Sequence, residues 1–556
     1  MMRGRILQPT RRPNRRLRPL TRGRQTRTVI ATTGPARRLR IAAGVTLVTL
    51  AALALTACTV GIERPDTVEA GPSIVPLPVS LSASGVDGFV VTGDTAVIAD
   101  PVLAPAAARL VAELASDTGL HLSETAADAP GITLVEDPTI TAEEGYTLDV
   151  DASGIRIAAS TPAGAYAAVQ SLRQLVPLGD AGAERTVPAV AVRDEPRFAY
   201  RGAMLDVARH FFAVDDVKRY LDQLALLKFN RLHLHLTDDQ GWRIAIDAWP
   251  ELTEIGGRYA VGDSEGGFYT KADYREIVDY AAERFITVVP EVDLPGHTNA
   301  ALASVAELNP DGKVAKPYTG TEVGFSTLDA GSEFTYAFLE DVLGEVAAMT
   351  PGPYLHIGGD ESSATSDADY LTFVARTSQI AARTGKTVIG WHELGRSAEL
   401  PEGTIGQYWD FVEPRTPEDE DESRSFIAQG GTLIMSPADA VYLDMKYDLM
   451  TPLGLTWAGG FTSIDDTYGW DPAAVVDGVT DSDILGVEAP LWSETLETLD
   501  DIESMAFPRI AAVAELAWTP QGQRDFADFA TRMPALGDRW TASGVDFTRV
   551  RDIVWH

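Results

Sequence analysis

Apolar and polar positions change their period along this chain. From Ile74 to about Val192, short alternating runs mix with stretches of helical spacing. Phe89-Val90-Val91 and Ala96-Val97-Ile98 predict strands. Residues 103–114 repeat their apolar side chains every three or four positions, as a helix buried on one face does. Residues 145–150 and 155–158 flank Asp151-Ala152-Ser153-Gly154, a turn sequence that predicts a hairpin. A second helix is predicted over 163–175. Together these elements predict a small noncatalytic α+β domain over 73–195.

After Asp194-Glu195-Pro196-Arg197 the pattern changes. Eight short apolar runs recur, most separated by helical stretches: 202–207, 231–236, 286–292, 354–357, 387–390, 404–407, 432–435 and 484–489. Between the first two, Val217, Tyr220, Leu221, Leu224 and Leu227 form one stripe, with Asp215 placed to cap the helix. Eight strands with helical crossovers predict an α/β architecture, a (β/α)8 TIM barrel over 196–556. The rival, a doubly wound open sheet, lacks its Gly-rich phosphate loop after the first strand. The acidic run 413–422 reads as a solvated, mobile loop after the sixth strand.

A barrel carries its chemistry just past the C-terminal ends of its strands. Those positions hold Asp206 and Arg209, then Asp238, then Asp293 and His297, then Asp360-Glu361. Trp391, Trp409, Tyr442, Asp444, Trp492 and Glu494 follow the later strands. Indole faces stack on pyranose rings, and carboxylates and arginine bind sugar hydroxyls, so this set points to carbohydrate chemistry. Each member has a bland counterpart: a solvated acid pair, rim packing, a structural ion pair. His233-Leu234-His235 raises a metal site completed by His297, His356 or His392. Both histidines fall inside the strand rather than at its mouth, which argues against it.

The segments 200–211, 233–243, 290–298 and His356-Ile357-Gly358-Gly359-Asp360-Glu361 resemble glycoside hydrolase family 20, the β-N-acetylhexosaminidases. Ile74-Val75-Pro76-Leu77-Pro78 and 164–175 are similar to that family's N-terminal domain. The resemblance implies a retaining exo-enzyme that removes terminal β-linked GlcNAc or GalNAc through an oxazolinium intermediate. It implies Glu361 as general acid and base, its pKa raised by burial and by Asp360. Asp360 would orient the substrate's acetamido N–H and Tyr442 its oxygen. Trp391, Trp409 and Trp492 would wall the pocket. Arg209 and Glu494 would bind the 3- and 4-hydroxyls and Asp444 the 6-hydroxyl, with Asp238 and His297 supporting Glu361. Because Asp360 and Glu361 are adjacent, an extended backbone would point them apart. No cofactor or metal is expected. Two other readings remain: a double-displacement β-glycosidase using Asp293, Asp444 or Glu494, and a noncatalytic binding lipoprotein.

Charge and the first residues add a location. The formal net charge is −34, although the first forty residues carry thirteen arginines and no acid. The remainder is therefore more acidic still, which excludes nucleic acid as a partner. An apolar run over 41–57 ends at Leu55-Thr56-Ala57-Cys58. Basic, apolar and small-residue segments in this order describe a secretory signal over 1–57. Cys58, the sole cysteine, then sits where a lipoprotein is acylated, with 58–72 as a tether. Arg37-Arg38 is a weak twin-arginine signal, and a short transmembrane anchor is the rival reading. The expectation is an extracytoplasmic enzyme held to the membrane by its lipid alone and acting on oligosaccharides.

Overall fold

The computed structural model describes residues 71–84, 87–122 and 131–556. The expected signal sequence, Cys58 and all but the last residues of the expected tether lie outside these. Among the described residues, no helix is long and apolar enough to cross a membrane.

The N-terminal region builds a six-stranded sheet from β1 (Ser80–Ala83), β3 (Val97–Ala99), β4 (Ile132–Glu136), β5 (Tyr146–Asp151), β6 (Gly154–Ala159) and β8 (Val190–Asp194). Its order is β1-β8-β5-β6-β4-β3, and β2 (Phe89–Val91) pairs with β7 (Arg185–Val187). The hairpin arises where expected: β5 and β6 pair antiparallel up to Asp151 and Gly154, and Asp151 Oδ1 accepts the Ser153 N–H at 2.7 Å. Helix α1 (Ala104–Thr118) stops at Gly119, which adopts φ 70°. Helix α2 (Pro162–Leu175) starts with Thr161 Oγ1 accepting from Gly164 N–H at 3.0 Å. Most of α2 is buried because it lies between β5, β6 and a barrel helix. A buried polar seam joins this region to the barrel. Asp194 accepts from Tyr146 Oη (2.6 Å), Lys228 Nζ (3.0 Å) and Trp518 Nε1 (2.9 Å).

Eight parallel strands then close into a barrel: β9 (Tyr200–Asp206), β10 (Arg231–His235), β11 (Thr287–Glu291), β12 (Tyr354–His356), β13 (Thr387–Trp391), β14 (Ile405–Tyr408), β15 (Leu433–Met435) and β16 (Ile484–Ala489). Each coincides with one of the eight apolar runs. Barrel interiors are ordinarily filled by branched aliphatics. This one keeps such a cluster in Val289, Ile389, Ile405 and Ile434 and, beside it, buries His233, His235, Glu291, His356, Gln407 and Glu488, all 0% exposed. Gly202 makes room for Glu488, whose Oε2 a Cβ at that position would strike.

Two local expectations change. The helix Val214–Leu226 does bury its apolar stripe, but its N-cap is Ala213 rather than Asp215. Asp216 supplies the acceptor, its Oδ2 taking the Ala213 N–H at 3.0 Å. The acidic run is not a loop throughout: Thr416 caps the helix Pro417–Ala428. Glu418, Asp419 and Glu420 occupy its first turn, where carboxylates complement the helix dipole.

Candidate active site

The mouth of the barrel is assembled from the turns after its strands. After β9, Arg209 reaches Asp238 Oδ2 through Nη2 (2.9 Å) and Asp206 through Nη1 (3.4 Å), and lies over the Trp492 ring at 4.8 Å. After β10, Asp238 also meets His235 Nε2 (2.8 Å) and His297 Nδ1 (3.3 Å). Burial alone would raise the Asp238 carboxyl. Arg209, His297 and His235 outweigh it and hold Asp238 well below the usual carboxylate range. Burial would likewise lower His297, but Asp238, Asp360 and Asp293 raise it well above an ordinary imidazole. His297 is thus buried among carboxylates that favour its charged form.

After β12, Gly358-Gly359 turn the chain through φ 64° and 121°, and Glu361 follows at φ 45°. Side chains at either glycine would collide, at Gly358 with Asp293 and at Gly359 with Leu394. A non-glycine residue at positive φ stores strain, and such strain concentrates at functional sites. The turn also overrides the expectation that Asp360 and Glu361 diverge. Both carboxylates face one imidazole, with His297 Nε2 3.7 Å from Asp360 Oδ2 and 3.5 Å from Glu361 Oε2.

Their environments differ, and not as the sequence predicts. Burial was expected at Glu361, yet its side chain is 37% exposed at the rim. Asp360 is the buried member, and burial pushes it up to about 7, with the Glu393 and Glu361 charges adding and His297 opposing. Beneath it lies Asp293, which accepts the Gly359 N–H at 3.0 Å. Burial and the facing Asp360 charge raise Asp293 well above its usual value. The sequence offers Asp293 as a mouth carboxylate and a rival nucleophile, and its place against the Gly359 N–H comes from the fold.

Aromatic rings enclose the space above. Trp391 and Trp492 lie 6.0 Å apart, and Tyr442 stands 6.1 Å from Trp492. Trp409 donates its Nε1–H to both oxygens of Glu393 at 3.0 Å. Burial, then Asp360 and Asp444, keep Tyr442 a phenol well above its ordinary pKa. Asp444 is buried and Glu494 half-buried, and both carboxyls are raised. Arg209, Asp360, Glu361, Trp409, Tyr442, Trp492 and Glu494 line a cavity of about 320 Å³, within the range of sites for small ligands. Trp391, Asp444, Asp238 and His297 stand behind this lining. Arg209 Nε, Asp360 Oδ1, Asp444 Oδ2 and Glu494 Oε2 are buried without a protein partner. Buried polar groups are normally paired, so a concentration of unpaired ones marks where a polar ligand completes them.

Trp457, Leu455, Thr321 and Val323 join the lining and were not anticipated. Trp457 packs 5.8 Å from Tyr442 and 6.1 Å from Trp409. An isolated tryptophan in the Gly-rich stretch after the seventh strand was the available signal. Two larger clefts, of about 530 and 690 Å³, lie away from this mouth, and most of the arginines that line them are already paired. The His233-x-His235 metal reading meets a different geometry. Each ring nitrogen of these histidines faces a carboxylate at 2.5–3.1 Å, inside the barrel.

Comparison with known proteins agrees with this geometry. Residues 198–521 match the model of "Glycosyl hydrolase family 20, catalytic domain", and 71–195 match its "domain 2". A β-N-acetylhexosaminidase of Cellulomonas fimi is 42% identical over 495 residues, covering 87% of this chain and 97% of that protein. The solved β-N-acetylhexosaminidase of Streptomyces coelicolor A3(2) is 46% identical with TM-score 0.82, over 87% of this chain and 98% of its own. A mutant Streptomyces plicatus β-hexosaminidase in complex with product GlcNAc is 46% identical with TM-score 0.83, over 87% and 97%. Matches that run from the N-terminal sheet through the barrel mouth admit one assignment: this chain belongs to glycosyl hydrolase family 20 and is a glycoside hydrolase of the β-hexosaminidase type.

Proposed function

We propose that this enzyme removes terminal β-linked N-acetylhexosamine from oligosaccharides with retention, using the substrate's 2-acetamido oxygen as nucleophile. The observation that carries this reading is the division of labour within Asp360-Glu361. Glu361 stands at the open rim, where a leaving group departs, and Asp360 lies at the buried end beside Tyr442. Glu361 protonates the glycosidic oxygen and then activates water. Asp360 orients the acetamido N–H and offsets the positive charge that grows as the oxazolinium forms, where a dry site makes that interaction strong. Tyr442 holds the acetamido oxygen. Arg209 and Glu494 take the 3- and 4-hydroxyls and Asp444 the 6-hydroxyl, and the stacked tryptophans hold the ring. These contacts use up one terminal sugar, so the action is exo.

A thiazoline analogue of the intermediate should inhibit far more tightly than free GlcNAc, because it resembles a species near the transition state. An activated 2-fluoro sugar should label no carboxylate. Weak thiazoline binding together with an adduct on Asp293, Asp444 or Glu494 overturns substrate assistance in favour of double displacement. For location, the proposal is export by the segment 1–57 and lipid anchoring at Cys58. Cys58→Ala in the native host should release the protein from membranes, and retention with an uncleaved leader points to a transmembrane anchor.

A further inference from the structure

The acid–base site rests on an unusual floor. His235 lies wholly inside the barrel with both ring nitrogens against carboxylates: Nε2 is 2.8 Å from Asp238 Oδ2 and Nδ1 is 2.5 Å from Glu291 Oε2. A neutral imidazole has one N–H and would turn a lone pair on one of these oxygens. With both carboxylates ionised, the doubly protonated ring donates to each. Glu291 in turn lies 3.1 Å from His233 Nε2 and 3.0 Å from His356 Nδ1, and His233 Nδ1 is 2.8 Å from Glu488 Oε1. Acidic and basic groups therefore alternate from Glu488 through His233, Glu291 and His235 to Asp238. His356, whose Nδ1 faces Glu291 Oε1, is the one histidine of this group that burial leaves lowered.

We propose that His235 and Glu291 are positioning residues for the acid–base step: Glu291 keeps His235 an imidazolium, and His235 holds Asp238 as the oriented anion that secures His297 against Glu361. Within hydrogen-bonding reach, Asp238 has three cationic neighbours, namely Arg209, His297 and His235. The direction of each shift agrees: His235 is raised well above an ordinary imidazole by Glu291 and Asp238 against burial, and Glu291 is held low against burial by His235, His356 and His233. Asp293 also faces this ring electrostatically, and Trp492 of the pocket wall packs its edge at 4.9 Å. A packing role alone would be met by apolar side chains at no cost of burying charge.

This inference rests on the reading of Glu361 as acid and base, and its test separates the two. Neutron diffraction from crystals of the unaltered protein near neutral pH should show deuterons on both ring nitrogens of His235. A single deuteron overturns the proposal, whatever the variants do. His235→Gln and Glu291→Gln should lower kcat/KM by about tenfold to a hundredfold, part of what acid–base catalysis contributes. The fall should lie in kcat and be larger for poor leaving groups, with KM little changed. Removing the His235 charge changes the field at Asp238, His297 and the neighbouring carboxylates, so a limb of the pH profile should move. A folded variant whose pH limbs stay in place shows a merely structural role and overturns the proposal. Glu361→Gln is measured alongside. Equal losses on good and poor leaving groups there strike the acid–base reading and leave the neutron result standing.

Discussion

The two sheets of this protein solve the problem of a core in opposite ways. In the N-terminal region, Ile132, Leu134, Leu148, Val150, Ile155 and Ile157 fill the space between sheet and helices with hydrocarbon. Inside the barrel, the parallel strands add to an aliphatic cluster of Val289, Ile389, Ile405 and Ile434 three buried histidines, two buried glutamates and Gln407. Removing apolar surface from water stabilises a fold directly, whereas burying charges costs free energy unless every partner is in place. The first core therefore exists for stability. The second keeps a set of polar groups fixed beneath a reaction site and depends on its partners being in place.

The comparison can be broken from the barrel side first. Glu361→Gln should cost about two to four orders of magnitude in kcat on substrates with poor leaving groups, the usual share of acid–base catalysis. Aryl glycosides that need little protonation should lose much less, and this ratio is the quantity to measure. Asp360→Asn should cost about a hundredfold to a thousandfold, as loss of one preorganised electrostatic group does. It should also sharpen the contrast between function and stability. The folded Asp360 pKa is raised to about 7 from 3.8, so ionising it costs the folded state as pH rises from about 4, with the full cost present above 7. Asp360→Asn removes that cost, so its Tm should exceed wild type at pH 8 and converge with it near pH 4. A variant less stable at pH 8 would refute the assignment of the buried charge.

On the N-terminal side, Ile157→Ala should lower unfolding stability by about 2–5 kcal/mol, as cavities in apolar cores do. Below its melting transition kcat should not change, and a changed kcat would show that this core does more than support. The smallest expected effect is none: prolonged chelation should leave activity intact, because both ring nitrogens of His235 and Nδ1 of His233 are hydrogen-bonded to carboxylates. Loss on chelation with recovery on added zinc would return them to the list of metal ligands.

Much of this architecture is legible in the chain because its determinants are local. The eight apolar runs set the eight strands through period and length, and the residues just past them became the mouth because a parallel barrel gathers its strand ends on one face. Arg209, Asp360, Glu361, Trp409, Tyr442, Trp492 and Glu494 were all named from that rule and line one cavity. The tertiary structure alone decided what each of them experiences. A left-handed turn put Asp360 inside and Glu361 at the rim, reversing the expected burial. The acidic run became a helix start once Thr416 could cap it. His233 acquired Glu488 from 255 positions away and His235 acquired Glu291 from 56. Strand period is written in neighbouring residues. Protonation, by contrast, is set by the field of groups that meet only when the barrel closes, and no local pattern records that meeting.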